Sequence, residues 1–147
     1  MILDQVSKYA IRTNFELYES VAIIAGSFNL TYIENTGAAF GLLSSVSFPF
    51  KTTLLALAAT TALLFIAFYM VTLPSSQWIA RTGLSCILGG AIGNLIDRIT
   101  TGAVVDFIDL YWRGWHFWAF NVADTAITVG VIIMIVDLFW TGKYRAS

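Results

Sequence analysis

Charged side chains are scarce in this sequence. Asp, Glu, Lys and Arg make up 12% of the 147 residues, hydrophobic residues make up 58%, and the mean hydropathy is +0.77. An average soluble domain carries about 25% charged residues. A chain with so little polar surface is excluded as an ordinary soluble domain, and its composition is typical of a membrane protein made mainly of α-helices.

An excess of basic residues is also missing, because eight Lys and Arg stand against nine Asp and Glu. Phosphate backbones attract basic stripes, so nucleic acid is excluded as a partner. The sequence has one cysteine, Cys86, and one histidine, His116. An internal disulfide is therefore impossible, and a zinc site would lack nitrogen and sulfur ligands.

Three apolar runs predict transmembrane helices. Residues 54–73 carry no charge, and as a helix they would be about 30 Å long, which matches the hydrocarbon core of a bilayer. The other two runs are shorter, so the polar residues that flank them are drawn to the interface. Buried helices of a soluble core are the alternative, but such a core needs more polar surface than this chain has. We predict transmembrane helices over residues 54–73, 82–98 and 122–140 of a single domain.

The other segments are predicted to lie on one side of the membrane. Successive spanning helices alternate in direction, which places residues 14–50 and the connection over residues 99–121 on the same face. Hydrophobic residues alternate around Gly26, and this pattern predicts a small β-rich cap over residues 14–50. The connection is crowded with Trp, Tyr and Phe, which favour the headgroup level, and interfacial anchoring accounts for most of these rings.

Polar residues at the end of the second predicted helix share one face. Gly90, Asn94 and Asp97 recur at helical spacing, and Arg98 lies one position round. Tight helix packing explains the glycines alone. Ionisable groups at membrane depth are costly and usually face a partner or a site, so the three polar residues are candidates for a functional site.

Two aspartates lie in apolar surroundings on that side. Asp106 follows Val104 and Val105, and Asp124 lies at the start of the last predicted helix. Taken singly, Asp124 could cap that helix and Asp106 could be a solvated loop acid. Two carboxyls at the same depth, however, cannot both ionise cheaply, so one keeps a proton while the other stays charged. Such a pair can activate water and polarise a scissile carbonyl, as in aspartic proteases.

Four ordered blocks resemble the lipoprotein signal peptidase (signal peptidase II) family of aspartyl intramembrane peptidases. Residues 35–40, NTGAAF, are similar to its Asn-x-Gly-Ala-Ala-Phe block, and residues 89–98, GGAIGNLIDR, to its glycine-rich block ending in Asn-x-x-Asp-Arg. Residues 104–107, VVDF, and 120–124, FNVAD, resemble the two blocks that each hold a catalytic aspartate. Four blocks in this order are a far more specific signal than any one of them.

The resemblance implies an endopeptidase of the bacterial inner membrane with four transmembrane helices, a periplasmic cap and no metal or organic cofactor. The implied substrate is a prolipoprotein already diacylated on its lipobox cysteine, and the cut falls just before that cysteine. Asp106 and Asp124 are the implied catalytic dyad, with Asp109 as the rival acid. We expect a monomer among membrane lipids, with its active site facing the periplasm. The residues implied to bind substrate or support the dyad are Asn35, Gly37, Asn94, Asp97, Arg98, Asn121 and Ala123.

The family's first transmembrane helix ends around an Asp-x-x-x-Lys element, which Asp4 to Lys8 resembles, so most of that helix is expected to be missing from this sequence. Most basic residues lie on the side of the predicted site, which points against an outward-facing site.

The alternative functions are a small proton-coupled transporter or channel, with Asp97, Asp106 and Asp124 as a relay, and an assembly subunit that only binds a peptide. Clustering of polar residues at one face favours the peptidase.

Overall fold

Four helices and four strands make up the part of the chain that the computed structural model describes, which is residues 1–37, 46 and 48–145. The helices are α1 (Ile2–Asn14), α2 (Lys51–Thr72), α3 (Trp78–Thr100) and α4 (Val122–Arg145). The strands are β1 (Ser20–Ile24), β2 (Phe28–Asn35), β3 (Val104–Trp112) and β4 (Trp115–His116). Residues 38–45, part of the predicted cap, and the end of the first family block lie outside the described residues.

Among the described residues, three helices are long and apolar enough to cross a membrane: Lys51–Thr72, Trp78–Thr100 and Val122–Trp140. Large apolar side chains cover their outer surfaces, and Leu64 and Phe65 of α2 are 68% and 72% exposed. Apolar surface of this extent is stable in lipid and would associate in water. The predicted fold class, a mainly helical membrane protein with a small β-rich part, is confirmed.

Helices α3 and α4 approach closely because glycines line their contact. A Cβ placed on Gly130 would lie 2.5 Å from the carbonyl oxygen of Gly83, and a Cβ on Gly90 would collide with the carbonyl oxygen of Ala123. Small residues let helix backbones pack closely in membranes. This packing brings the C-terminal end of α3 against the first turn of α4.

The strands form one antiparallel sheet in the order β1-β2-β3-β4. β3 lies inside this sheet, whereas the sequence predicts only a connection over residues 99–121. Its first four residues, VVDF, are all buried, so β3 lacks the alternation by which a half-exposed strand is recognised. Pairing with β2 sets Asp106 opposite Ile33 and Val104 opposite Asn35.

Helix α1 contacts α3, α4 and β3. Its buried residues Asp4, Lys8 and Ile11 recur at helical spacing, so one face of the helix points into the protein. Ile11 packs in one apolar cluster with Val105 and Phe107 of β3. This apolar contact holds α1 under the sheet, and the two charged residues of the same face point toward α3 and α4.

Candidate active site

Asp106 lies on β3 and is 3% exposed. Both of its oxygens accept hydrogen bonds from asparagine amides: Asn121 Nδ2 lies 2.8 Å from Oδ1, and Asn35 Nδ2 lies 3.1 Å from Oδ2. Burial, with the charge of Asp124 as a second cause, raises the pKa of Asp106 to about 7, and the two amide hydrogen bonds oppose that rise. A large fraction of Asp106 is therefore protonated at neutral pH.

Asp124 lies in the first turn of α4. Asn94 Nδ2 donates to Asp124 Oδ1 at 2.7 Å, and the backbone N–H of Asn121 donates to Oδ2 at 3.2 Å. In return, the backbone N–H of Asp124 donates to Asn121 Oδ1 at 3.0 Å, which makes Asn121 the N-cap of α4. Asp124 is thus held as a hydrogen-bond acceptor at the start of the helix.

Asn121 connects the two carboxyls. It is fully buried, and it binds Asp106 through its side chain and Asp124 through its backbone. Its Nδ2 also lies 3.2 Å from the carbonyl oxygen of Val105 and 3.3 Å from Asn94 Oδ1. Capping of α4 explains only some of these contacts. The structure therefore brings the two aspartates of the predicted dyad around one shared partner.

Asn35, Gly37 and Arg98 lie beside Asp106. The backbone N–H of Gly37 donates to Asn35 Oδ1 at 2.8 Å, and this bond turns Asn35 Nδ2 toward Asp106. Arg98 Nη2 donates to the carbonyl oxygen of Gly37 at 3.1 Å, and Nη1 to that of Asn94 at 3.4 Å. Arg98 therefore connects the segment after β2 to α3 at the site.

Asp97 and Ala123 connect the site to α1. Asp97 is fully buried and lies 2.8 Å from Lys8 Nζ and 3.3 Å from Arg12 Nη2. The backbone N–H of Ala123 donates to Asp4 Oδ1 at 2.9 Å. The carboxylate of Asp97 is thus engaged in ion pairs with α1, and it makes no direct bond to either carboxyl of the dyad among the described contacts.

Sequence reasoning missed the contribution of α1 to this site. Lys8 Nζ lies 3.0 Å from Asp4 Oδ2 and 2.8 Å from Asn94 Oδ1, and both charged residues of α1 are fully buried. The spacing of Asp4 and Lys8, four residues apart, is a signal for an ion pair on one helix face. The same spacing is common on exposed helices, so only the contact with Asn94 reveals that the pair belongs to the site.

Asp109, the rival acid, has different partners. Asn29 Nδ2 donates to Asp109 Oδ2 at 2.8 Å, and His116 Nδ1 lies 2.9 Å from Oδ1. The rings of Tyr111 and His116 stack with centroids 4.9 Å apart. Within the described ranges, no group of three or more His, Cys, Asp or Glu residues could hold a metal ion. Asp109 therefore belongs to a cluster of the sheet, separate from the contacts around Asn121.

Comparisons with known proteins bear on this arrangement. A sequence model of the family described as Signal peptidase (SPase) II matches residues 1–140. The lipoprotein signal peptidase of Shewanella halifaxensis (strain HAW-EB4) is 43% identical over 142 residues, which cover 97% of this chain and 82% of the relative. That of Geobacter metallireducens (strain ATCC 53774 / DSM 7210 / GS-15) is 44% identical over 131 residues, or 86% of this chain and 77% of the relative.

The fold is also known. A solved structure described as a bacterial membrane enzyme, determined by the in meso method at 2.3 Å resolution, matches with a TM-score of 0.86 and 34% sequence identity. The match covers 98% of this chain and 85% of that structure. A second bacterial membrane enzyme, solved at 1.9 Å resolution, matches 93% of this chain and 85% of its own with a TM-score of 0.81 and 36% identity. The resemblance carried by the four sequence blocks is confirmed, and the chain belongs to the signal peptidase II family.

Proposed function

We propose that this chain is an aspartic endopeptidase that removes signal peptides from prolipoproteins. Its family and the names of its relatives support this function. The observation that carries the proposal is the arrangement of two aspartates, the buried Asp106 and the half-buried Asp124, around Asn121, which binds Asp106 through its side chain and Asp124 through its backbone. Such a pair retains one proton, because two neighbouring carboxyls cannot both ionise at low cost.

The two aspartates divide the acid and base roles. Asp106, whose pKa is raised to about 7, donates its proton to the oxygen of the scissile carbonyl. Asp124, which accepts hydrogen bonds from Asn94 and from the backbone of Asn121, takes a proton from the attacking water. The water oxygen adds to the carbonyl carbon. The C–N bond then breaks as Asp124 passes the proton to the leaving nitrogen and Asp106 recovers its own from the carbonyl-derived hydroxyl.

Asn121 allows Asp106 to be protonated. An amide NH₂ has two hydrogens, and Asn121 Nδ2 reaches the carbonyl oxygen of Val105 at 3.2 Å as well as Asp106 Oδ1. When Oδ1 carries the proton, the hydrogens of Asn121 keep other acceptors. Neither protonation state of Asp106 therefore leaves this buried amide without a partner.

The substrate and the location are finer parts of the same proposal. We infer that the prolipoprotein is diacylated on its lipobox cysteine and is cut just before that cysteine, at the periplasmic face of the inner membrane. Three apolar helices support a multi-pass membrane protein. Lys8, Arg12 and Arg98 are engaged in internal contacts, which weakens the count of basic residues as an argument against an outward-facing site. We expect the chain to act as a monomer among membrane lipids.

Cleavage of a purified diacylated prolipoprotein, in detergent or lipid, tests the dyad. Asp106→Asn and Asp124→Asn are each expected to lower the cleavage rate about 10²- to 10⁴-fold, the usual contribution of general acid–base catalysis. Asp109→Asn is the matched control, since Asp109 lies on the same strand with separate partners, and it is expected to retain the parent rate. Unchanged cleavage by either folded dyad variant would remove that aspartate from the mechanism. An unmodified prolipoprotein, which we expect to resist cleavage, tests the requirement for diacylation.

A further inference from the structure

Three asparagines direct their amide NH₂ groups at the two aspartates. Asn35 and Asn121 donate to Asp106, and Asn94 donates to Asp124. The donor and acceptor ends of an asparagine amide have almost the same shape, so a rotated amide would fit the same space. It would then set an oxygen against a carboxyl oxygen. The donor orientation therefore depends on what binds the oxygen end of each amide.

Backbone groups bind two of these three oxygens. The N–H of Gly37 donates to Asn35 Oδ1 at 2.8 Å, and the N–H of Asp124 donates to Asn121 Oδ1 at 3.0 Å. The oxygen of Asn94 is bound differently, by the ammonium group of Lys8 at 2.8 Å, with a longer second contact of 3.3 Å from Asn121 Nδ2. Among the three amides, Asn94 is thus the one whose orientation depends on a side chain from another element.

The ammonium group of Lys8 can satisfy its hydrogen bonds in only one arrangement. An ammonium group has three hydrogens and no acceptor. Three oxygens surround Nζ, from Asp4 at 3.0 Å, Asp97 at 2.8 Å and Asn94 at 2.8 Å, and the side chains of Lys8 and both acids are 0% exposed. A rotated Asn94 would set its NH₂ against the ammonium and its oxygen against Asp124. Two charge-assisted hydrogen bonds would become two repulsive contacts.

We propose that Lys8 is a positioning residue for the reaction. Its ammonium group holds the amide of Asn94 in the orientation that donates to Asp124, and so keeps Asp124 Oδ1 as an acceptor beside Asp106. Lys8 acts through Asn94, because all three of its hydrogens are engaged with protein oxygens. The inference rests on the proposed role of Asp124 as the base.

Lys8→Met tests this role, because methionine has a similar length and no donor. The proposal predicts that kcat falls about 10- to 100-fold while KM is unchanged, which is the loss typically seen at metal sites when a partner that orients a ligand is removed. Arg12→Met is the charge-matched control. It removes a cation from the same cluster, where Arg12 pairs with Asp97 at 3.3 Å, and it is expected to leave kcat near the parent value. An equal loss in both variants would show that Lys8 only balances charge, and would overturn the proposal.

A second variant guards against misfolding. Lys8→Met leaves the carboxylates of Asp4 and Asp97 with one cation, Arg12, which is a costly arrangement for buried acids. The double variant Lys8→Met/Asp97→Asn removes one charge of each sign, so the cluster stays neutral. It is expected to fold and to lose at least as much kcat as Lys8→Met. A double variant that cleaves at the parent rate would overturn the positioning role.

NMR of protein labelled with ¹⁵N-asparagine separates this proposal from the proposed function. Side-chain amide signals are few, and Asn94→Gln identifies the pair that belongs to Asn94. These signals are expected to shift in Lys8→Met and to stay in place in Arg12→Met. If the parent chain does not cleave a prolipoprotein, such a shift still supports the hold of Lys8 on Asn94, and only the proposed function fails. Unshifted signals in an active Lys8→Met enzyme overturn the positioning role alone. The asparagines are at positions 14, 29, 35, 94 and 121.

Discussion

Single residues decide how the stability of this protein depends on pH, and Asp106 is the clearest case. Its pKa is raised to about 7 from an ordinary value of 3.8, chiefly by burial. A raised pKa means that folding favours the protonated form, so this stabilising contribution is complete below about pH 4 and is lost as the pH rises through about 7. Asp106→Asn has no such dependence. We expect its thermal unfolding temperature, relative to that of the parent, to increase from about pH 4 to about pH 8.

The control for this comparison is Glu34→Gln, which removes an exposed carboxyl on the neighbouring strand β2. Its unfolding temperature should follow that of the parent more closely over the same range. Parallel curves for Asp106→Asn and the parent would contradict the buried, protonated state of Asp106. The two aspartates of the proposed dyad could be found from the sequence. The raised pKa of Asp106 could not, because it depends on burial by elements that are distant in the chain.

At the scale of secondary-structure elements, the close contact between helices α3 and α4 depends on glycines. A Cβ on Gly130 would lie 2.5 Å from the carbonyl oxygen of Gly83 and 3.0 Å from the backbone nitrogen of Ile87. Backbone atoms cannot move away from the added Cβ as the end of a flexible side chain can. We expect Gly130→Ala to destabilise the protein by about 1–3 kcal/mol, the usual range for overpacking, and to lower its thermal unfolding temperature in detergent.

Gly89→Ala in α3 is the matched control, because the nearest atom to its added Cβ is the backbone nitrogen of Met1 at 3.9 Å. Alanine there is expected to be neutral or stabilising, since it is the better helix former. Equal unfolding temperatures for the two variants would mean that α3 and α4 are not held at backbone contact. The glycines of α3 can be assigned to helix packing from the sequence, but which glycines face another backbone depends on the tertiary structure.

Across the whole molecule, the residues of the candidate active site lie together at one end of the apolar helices α2, α3 and α4. Thr60 and Thr61, polar residues within α2, donate to carbonyl oxygens of their own helix, at 2.8 Å from Ala56 and 2.9 Å from Leu57. These hydroxyl hydrogens are therefore engaged in hydrogen bonds within the helix, which disfavours a proton relay along α2. The alternating directions of α2, α3 and α4 set the loop after α2 on the membrane face opposite the site.

Cysteine labelling measures this orientation in intact cells. In a Cys86→Ala background, Ser20→Cys in β1 is expected to react with a membrane-impermeant maleimide from the periplasm. Ser76→Cys, in the loop between α2 and α3, is expected to react only after the inner membrane is opened. Both serines are exposed, so reactivity reports the side of the membrane. The reverse labelling pattern would place the site in the cytoplasm and contradict its proposed orientation.

Features that depend on local composition could be predicted without a structure. Apolar runs form helices in a membrane because unsatisfied backbone groups are costly in lipid, so the three spans found among the described residues could be predicted without any tertiary contact, although two of the runs are shorter than the bilayer is thick. The two aspartates of the candidate active site could also be identified from the sequence. Asp106 and Asp124 lie in short blocks whose order and spacing are specific to one family, and that family was confirmed.

The contacts between distant segments became evident only from the fold. The first four residues of β3 are all buried, so both faces of this part of the strand are covered and the alternation of residues that would indicate a strand is absent there. Lys8 joins the site because α1 packs against α3, and Asn94 directs its NH₂ at Asp124 because Lys8 binds the opposite end of the amide. The physical reason is that a hydrogen bond between segments has no counterpart in the local pattern of either one.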